Sequence, residues 1–234
     1  MRRFFGRIEN DFAYIEGEEF LHLKTVLRMK EGDELIVLNA TKTEYISKIL
    51  EIKKSYAVAQ VLSTKICEGL PKKNITMFQA FAKREKLELI VQKAVELGIK
   101  KFIPFNSEYC VAKDAVNKKD RLEKIVLSAC KQCECSEPMK IEKSLSFSDM
   151  LKCASKADII LFANEREGET FDFSSLKDNN NIAIIVGPEG GFSKEEKQKI
   201  LDVGAKSVSL GKRILRSETA SIVLMGIVST LSGN

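Results

Sequence analysis

The residues with the clearest chemical potential lie close together near the C-terminus. Ile182, Ala183, Ile184, Ile185 and Val186 form an apolar run, followed at once by Gly187, Pro188, Glu189, Gly190, Gly191 and Phe192. Buried β residues that end in three glycines and a proline place an open backbone loop at the carboxyl end of a strand, where open α/β sheets bind ligands. The loop lacks the Lys-Ser/Thr pair of a P-loop and the spacing of a dinucleotide fingerprint, so triphosphates and pyrophosphates fit poorly. A neutral nucleoside edge read by backbone N–H and C=O groups fits better. A glycine-rich turn that only permits close packing is the competing structural reading.

A second segment has the same layout. Ser209 and Leu210 end a strand, Gly211, Lys212, Arg213, Ile214, Leu215 and Arg216 make a basic loop, and Ser217 or Thr219 is placed to cap the helix running on through Glu218 and Ala220. An electron-rich ligand atom is favoured near that helix start. Two such loops at neighbouring strand ends make opposite walls of one pocket, and arginines inside a glycine-bounded loop suit function better than surface solvation.

The elements that must carry these loops alternate. From residue 75 onward the patterning predicts strands over 75–81, 101–105, 158–163, 182–186 and 207–210, with helices over 86–97, 119–133, 146–154, 193–203 and 218–231. Alternation of this kind is the signature of a mainly parallel α/β sheet. Leu87, Ile90, Val91, Ala94 and Leu97 share one helix face closed by Gly98, while Ser193 and Glu196 form a capping box whose helix stops at Gly204. The last helix is apolar around so much of its circumference, from Ile222 to Val228, that burial against a second copy competes with burial inside the chain. Residues 1–62 read as short β segments, among them 34–38, 43–52 and 57–62, with one helix over 17–29. That pattern suggests a small β-barrel-like module, and residues 63–74 read as the linker.

Composition narrows the partners. A net charge of +5, from 38 basic and 33 acidic residues, permits nucleic-acid binding without requiring it. Local clusters say more: Arg2, Arg3 and Arg7; Lys83, Arg84 and Lys86; Lys118, Lys119 and Arg121; Lys212, Arg213 and Arg216. No apolar stretch is long enough for a bilayer and the N-terminus lacks a signal-like apolar region, so a cytoplasmic protein without a membrane partner is expected. The six cysteines read as reduced thiols. Cys130, Cys133 and Cys135 lack the second ligand pair of a structural zinc site, and the one histidine, His22, is remote in sequence, so no metal is expected.

Residues 186–192 together with residues 210–220 resemble the bacterial 16S ribosomal-RNA uridine-N3 methyltransferases, the RsmE family of the SPOUT superfamily. The similarity runs almost end to end. His22, Leu23, Val26, Leu27, Arg28, Gly32 and Asp33 look like the family's PUA-like motif, with Arg2, Arg3, Phe4 and Phe5 like its start. Gln79, Ala80, Lys83, Lys86, Leu87, Glu88, residues 92–98, Pro104, Phe105, Ser107 and Glu108 resemble the beginning of its catalytic domain. Phe162, Ala163, Asn164 and Glu165 look like a third cofactor segment. One departure is Cys135, where the family usually carries an arginine.

The resemblance implies a PUA-like RNA-binding β-barrel over residues 1–73 and an α/β SPOUT domain with a deep trefoil knot over residues 74–234. It implies that Phe162, Ala163, Asn164 and Glu165, residues 186–192, and Leu210, Gly211, Arg213, Ile214, Leu215, Arg216, Thr219 and Ala220 converge on S-adenosyl-L-methionine, and that the chain is a homodimer. Arg2, Arg3, His22, Arg28, Lys83 and Lys86 are the expected contacts to 16S ribosomal RNA. In the implied reaction uracil N3 attacks the sulfonium methyl without a metal; Arg216 stabilises the developing anion and Glu189 or Glu218 accepts the proton. Two alternatives stay open: methylation of another RNA such as transfer RNA, and a non-catalytic RNA-binding assembly factor, which alone needs no cofactor.

Overall fold

Short alternating segments near the N-terminus pair into one sheet. In this computed structural model, which describes residues 1–110, 119–164 and 171–234, they form β1 (Arg2–Phe5), β2 (Arg7–Glu9), β3 (Phe12–Glu16), β4 (Glu34–Leu38), β5 (Thr43–Ile52) and β6 (Tyr56–Ile66), in the order β1-β4-β5-β6-β3-β2. The β1/β4 pair is parallel and the others are antiparallel. Inward-facing Phe4, Ile15, Leu35, Val37, Ile49, Ala57 and Ala59 make the core with Phe20 and Leu23. β6 runs four residues past its expected end. Residues 63–66 are polar enough to read as linker, but their backbones pair with residues 43–46 of β5.

The helix expected over 17–29 is shorter. It is α-helical only over α1 (Gly17–Leu21), widens into a π turn over His22–Val26, and ends before Arg28, whose φ is 52°. The Thr25 hydroxyl donates to the Leu21 carbonyl at 2.6 Å while the Leu27 amide reaches back to the His22 carbonyl. A β-branched hydroxyl residue thus competes with the backbone ladder, a tertiary detail that periodicity does not report.

By its contacts the chain divides into one unit of Met1–Leu70 with Cys130–Pro138 and a second of Pro71–Ala129 with Met139–Asn234. A linear division at residue 73 does not contain the return of the 130–138 segment. That segment is held within the first unit by few, long-range bonds: Arg3 to Glu134 at 2.7 Å, Cys67 Sγ to the Glu134 carbonyl at 3.2 Å, and Lys131 to Glu19 at 2.5 Å. Cys135 is buried there with its thiol on the Glu137 carbonyl, so the position that departs from the family pattern is internal.

The second unit alternates as its patterning predicts, except that a two-residue strand over Lys140–Ile141 was not expected and the last strand spans Lys206–Val208 instead of 207–210. Its strands are β7 (Asn74–Ala80), β8 (Lys101–Phe105), β9 (Lys140–Ile141), β10 (Ile159–Ala163), β11 (Asn181–Val186) and β12 (Lys206–Val208). Its helices are α2 (Arg84–Glu96), α3 (Lys119–Cys133, whose last turn from Cys130 belongs to the first unit), α4 (Phe147–Ala154), α5 (Lys194–Asp202) and α6 (Ser217–Ser232). The sheet order is β12-β10-β11-β7-β8-β9 and every pair is parallel. The carboxyl ends of β10, β11 and β12 therefore open on one edge as neighbours, beside the point where strand order reverses at β7. In α6, Ser217, Ser221, Leu224, Met225, Val228 and Ser232 form a buried stripe, while Val223 and Leu231 stay exposed.

Candidate active site

Every residue of β11 except Asn181 is buried, and Val186 pairs with Gln79 at the last register position before the glycine loop opens. The Gly191 amide bonds the Pro188 carbonyl at 2.9 Å, with Gly191 at φ 72°, a backbone state that a side chain resists. Phe192 anchors the far end. Its ring stacks on Phe105 at 6.3 Å and meets Phe162 edge-on at 6.0 Å. The capping box then starts α5: Ser193 Oγ accepts from the Glu196 amide, and Glu196 accepts from the Ser193 and Glu108 amides and from Ser107 Oγ.

The loop after β10 contributes Ala163 and Asn164, and the Asn164 amide bonds the Val208 carbonyl at 3.0 Å. The loop after β12 contributes Leu210, Gly211, Arg213, Ile214, Leu215 and Arg216, and Ala220 follows from α6. Together with Val186, Gly187, Pro188, Glu189, Gly191 and Phe192 they enclose a cleft of about 380 Å³, within the range of small-molecule sites. Three of the expected cofactor residues stand apart from the cleft lining. Phe162 turns into the core against Phe192, and Gly190 packs on Tyr109, where a Cβ would lie 2.9 Å from Tyr109 Cβ. Thr219 is exposed on α6 outside the cleft lining. Glu165, like Lys118 of the basic cluster, lies outside the described residues.

Ser217 does not cap α6. The N-cap is Arg216, and the Ser217 hydroxyl donates instead to the Gly187 carbonyl at 2.7 Å. Arg216 lines the cleft exposed, with no ion-pair partner among the described residues. Ile214 is 66% exposed beside it, an apolar surface open to a flat ligand. Asn164 Oδ1 is its counterpart. The residue is 5% exposed, and this oxygen has no hydrogen-bond partner among the described residues, so the cleft holds a buried acceptor that a ligand donor can satisfy.

Lys86, expected at the RNA, belongs to the cleft. Its Nζ lies 3.3 Å from Glu189 Oε1 and 3.2 Å from Glu218 Oε2, an ionic bridge between the two proposed proton acceptors. Desolvation opposes the Lys86 charge, but Glu218 and Glu189 outweigh it and hold the ammonium above the ordinary lysine range. Desolvation likewise resists ionisation of Glu189, yet its own backbone amide, Lys86 and the Lys83 amide hold the carboxyl below the ordinary glutamate range. A carboxylate so stabilised is a weak proton acceptor. Lys197, one turn into α5 from the cap, also lines the cleft and was not anticipated; the capping box fixes the helix start and so was the signal that could have found it.

The comparisons agree on the architecture. A family model described as an RNA methyltransferase domain matches residues 69–229, and one described as an RNA methyltransferase PUA domain matches residues 15–62. Ribosomal RNA small subunit methyltransferase E of Rickettsia conorii is 36% identical over 231 residues, covering 97% of this chain and 93% of its own. The chain belongs to this RNA methyltransferase family. The Bacillus subtilis member of the same name is 32% identical, covering 92% and 88% of the two chains. The crystal structure of the Neisseria gonorrhoeae member bound to S-adenosyl methionine superposes with a TM-score of 0.88 at 25% identity, covering 99% of this chain and 98% of its own. The fold is thus the family's α/β methyltransferase domain with a PUA-like N-terminal domain.

Of the family-inspired RNA contacts on the first unit, Arg2 and Arg28 are exposed. His22 is half-buried, its ring against Phe4 at 6.1 Å. Arg3 is unsuited to a phosphate. Its side chain is 9% exposed and its guanidinium is bound to Glu44 at 3.4 Å and Glu134 at 2.7 Å. Lys83, on the second unit, is exposed at the start of α2.

Proposed function

We propose that the chain transfers the methyl group of S-adenosyl-L-methionine to N3 of a uridine in 16S ribosomal RNA of the small subunit. The observation that carries this reading is the cleft at the three adjoining strand ends, which is lined by Arg216, unpaired among the described residues, by a buried, unsatisfied acceptor on Asn164 and by apolar walls. The residues present fit the cofactor. Asn164 Oδ1 suits an amino or hydroxyl donor, and Val186, Val208, Leu210, Ile214 and Leu215 suit a purine. When bound, that group supplies an electrophilic methyl on a sulfonium whose C–S bond breaks with its electron pair remaining on sulfur.

This chain's residues handle the acceptor. Loss of the N3 proton spreads negative charge over uracil O2 and O4, and the Arg216 guanidinium, which lines the cleft together with Arg213, is a free planar donor that stabilises it before the nitrogen pair forms the new N–C bond. Glu189 is already held in its ionised form by Lys86, which leaves Glu218 or water to take the proton. Positioning of nucleophile and methyl supplies much of the remaining acceleration. Exposed Arg2 and Arg28 of the PUA-like domain, with Lys83, bind RNA phosphates. The reading includes a cytoplasmic homodimer and a knotted C-terminal chain, and Val223 and Leu231 of α6 supply exposed apolar surface for a second copy; among the described residues no helix is long and apolar enough to cross a membrane.

Mapping methylated bases in ribosomal RNA from cells lacking the protein, with re-addition of purified protein and cofactor, tests the reading. Loss and restoration of one N3-methyluridine in 16S RNA is the expected result. A restored methyl on transfer RNA, or no restored methyl despite RNA binding, would replace it with one of the two alternatives.

A further inference from the structure

Gln79 is fully buried on β7, the strand between β11 and β8. A buried primary amide in a central parallel strand is costly unless its polar atoms are bonded. Here both ends are engaged. Nε2 donates toward the Ala80 carbonyl at 3.1 Å, Ser217 Oγ at 3.3 Å and the Gly187 carbonyl at 3.4 Å, while Oε1 accepts from Ser221 Oγ at 2.6 Å. Ser217 Oγ in turn donates to the Gly187 carbonyl at 2.7 Å, and Ser221 Oγ lies 2.8 Å from the Ser217 carbonyl.

Gly187 opens the glycine loop and Ser217 is the first residue of α6, directly after Arg216. One amide therefore holds two cleft walls together from beneath. The Gly187 carbonyl is turned inward, away from the sheet ladder, and Pro188 has no N–H to hold the next peptide, so this carbonyl is the anchor for the loop's first bend. We propose that Gln79 is a positioning residue for methyl transfer: through Ser217 and the Gly187 carbonyl it fixes the distance between the cofactor loop and Arg216. The proposal rests on the methyl-transfer reading above.

The test compares Gln79→Met, Ser217→Ala and Ser217→Thr by single-turnover methylation of 16S RNA at saturating S-adenosylmethionine, cofactor Kd by calorimetry, and melting temperature. Gln79→Met keeps the volume and removes the bonds; a misplacement of the walls should slow the saturated step by about 10²-fold. Ser217→Ala should slow it less, by about tenfold, the order of one lost bond, and Ser217→Thr, which keeps the hydroxyl, should recover most of the rate. Because the two residues act as one unit, the Gln79→Met/Ser217→Ala double variant should lose little beyond Gln79→Met alone. A merely structural role would lower the melting temperature and leave the saturated rate of folded protein unchanged. If Gln79→Met does not fold, the serine pair decides: Ser217→Ala with the wild-type rate and Kd overturns the positioning role. Wild-type protein that neither binds S-adenosylmethionine nor methylates RNA would sink the functional reading and this proposal together, an outcome distinct from failure of the variants alone.

Discussion

Removing the Arg216 guanidinium while leaving its backbone in place should slow single-turnover methylation by about 10²-fold or more, the loss typical of one donor to a developing anion. Cofactor affinity should fall far less, and Arg216→Lys should recover only part of the rate because it keeps the charge and loses the planar fork. A stable, cofactor-binding Arg216→Ala protein with a near-normal rate would remove the role. Lys86 makes a different prediction. Glu189 is held below its ordinary value of 4.5, so its share of stability is present above that value and is lost as pH falls through the lowered one. Lys86 is raised above 10.5, so its share is present below that value and is lost as pH rises through the raised one. The difference in urea midpoint between wild type and Lys86→Met should therefore be flat from about pH 6 to pH 9 and shrink toward both extremes. A difference unchanged down to the acid transition would mean the bridge contributes nothing to folding.

The glycine loop, α5 and the start of α6 work as a set of rigid ends around one cleft. Gly191 has φ 72°, and valine there should strain the loop by about 1–3 kcal/mol or force it to rearrange. Cofactor affinity should drop roughly ten- to hundredfold by calorimetry, while the Ser193–Glu196 box keeps α5 intact by circular dichroism. Unchanged affinity in folded Gly191→Val would take this loop out of the site. Much at this scale is legible in sequence, because caps and strand ends are local: the capping box, Gly98 and Gly204 mark helix ends from neighbouring residues alone. The early end of α1 was not legible, because the Thr25 hydroxyl, rather than any helix-breaking residue, bonds the Leu21 carbonyl.

Across the whole molecule, charge is divided between binding and architecture. Replacing Arg2 and Arg28 together should weaken binding to 16S RNA and reduce the slope of log affinity against log salt by roughly 1–2, leaving cofactor affinity alone. Arg3→Ala should act otherwise: Glu44 is 2% exposed and would lose one of two cationic neighbours, Lys65 remaining at 3.2 Å, so unfolding should become easier by about 1–3 kcal/mol. Urea melts beside filter binding across a salt series separate the two. An Arg3→Ala protein of wild-type stability with a reduced salt slope would return Arg3 to the RNA.

What the sequence by itself determined follows from period and punctuation. The alternating units from residue 74, the loop after residue 186 and the existence of a second loop after β12, and their assignment to one edge of a parallel sheet needed only buried runs, glycines and caps. Which side chains meet across that edge was decided by tertiary structure. Lys86 and Arg3 carry the same charge as the other members of their basic clusters, yet one bridges Glu189 and Glu218 and the other is closed between Glu44 and Glu134. Gln79 and Ser217 are 138 residues apart and Arg3 and Glu134 are 131 apart. A local pattern fixes the direction of a strand or the end of a helix, but a hydrogen bond between remote residues depends on the sheet order that brings them within 3.5 Å, and that order is a property of the assembled chain.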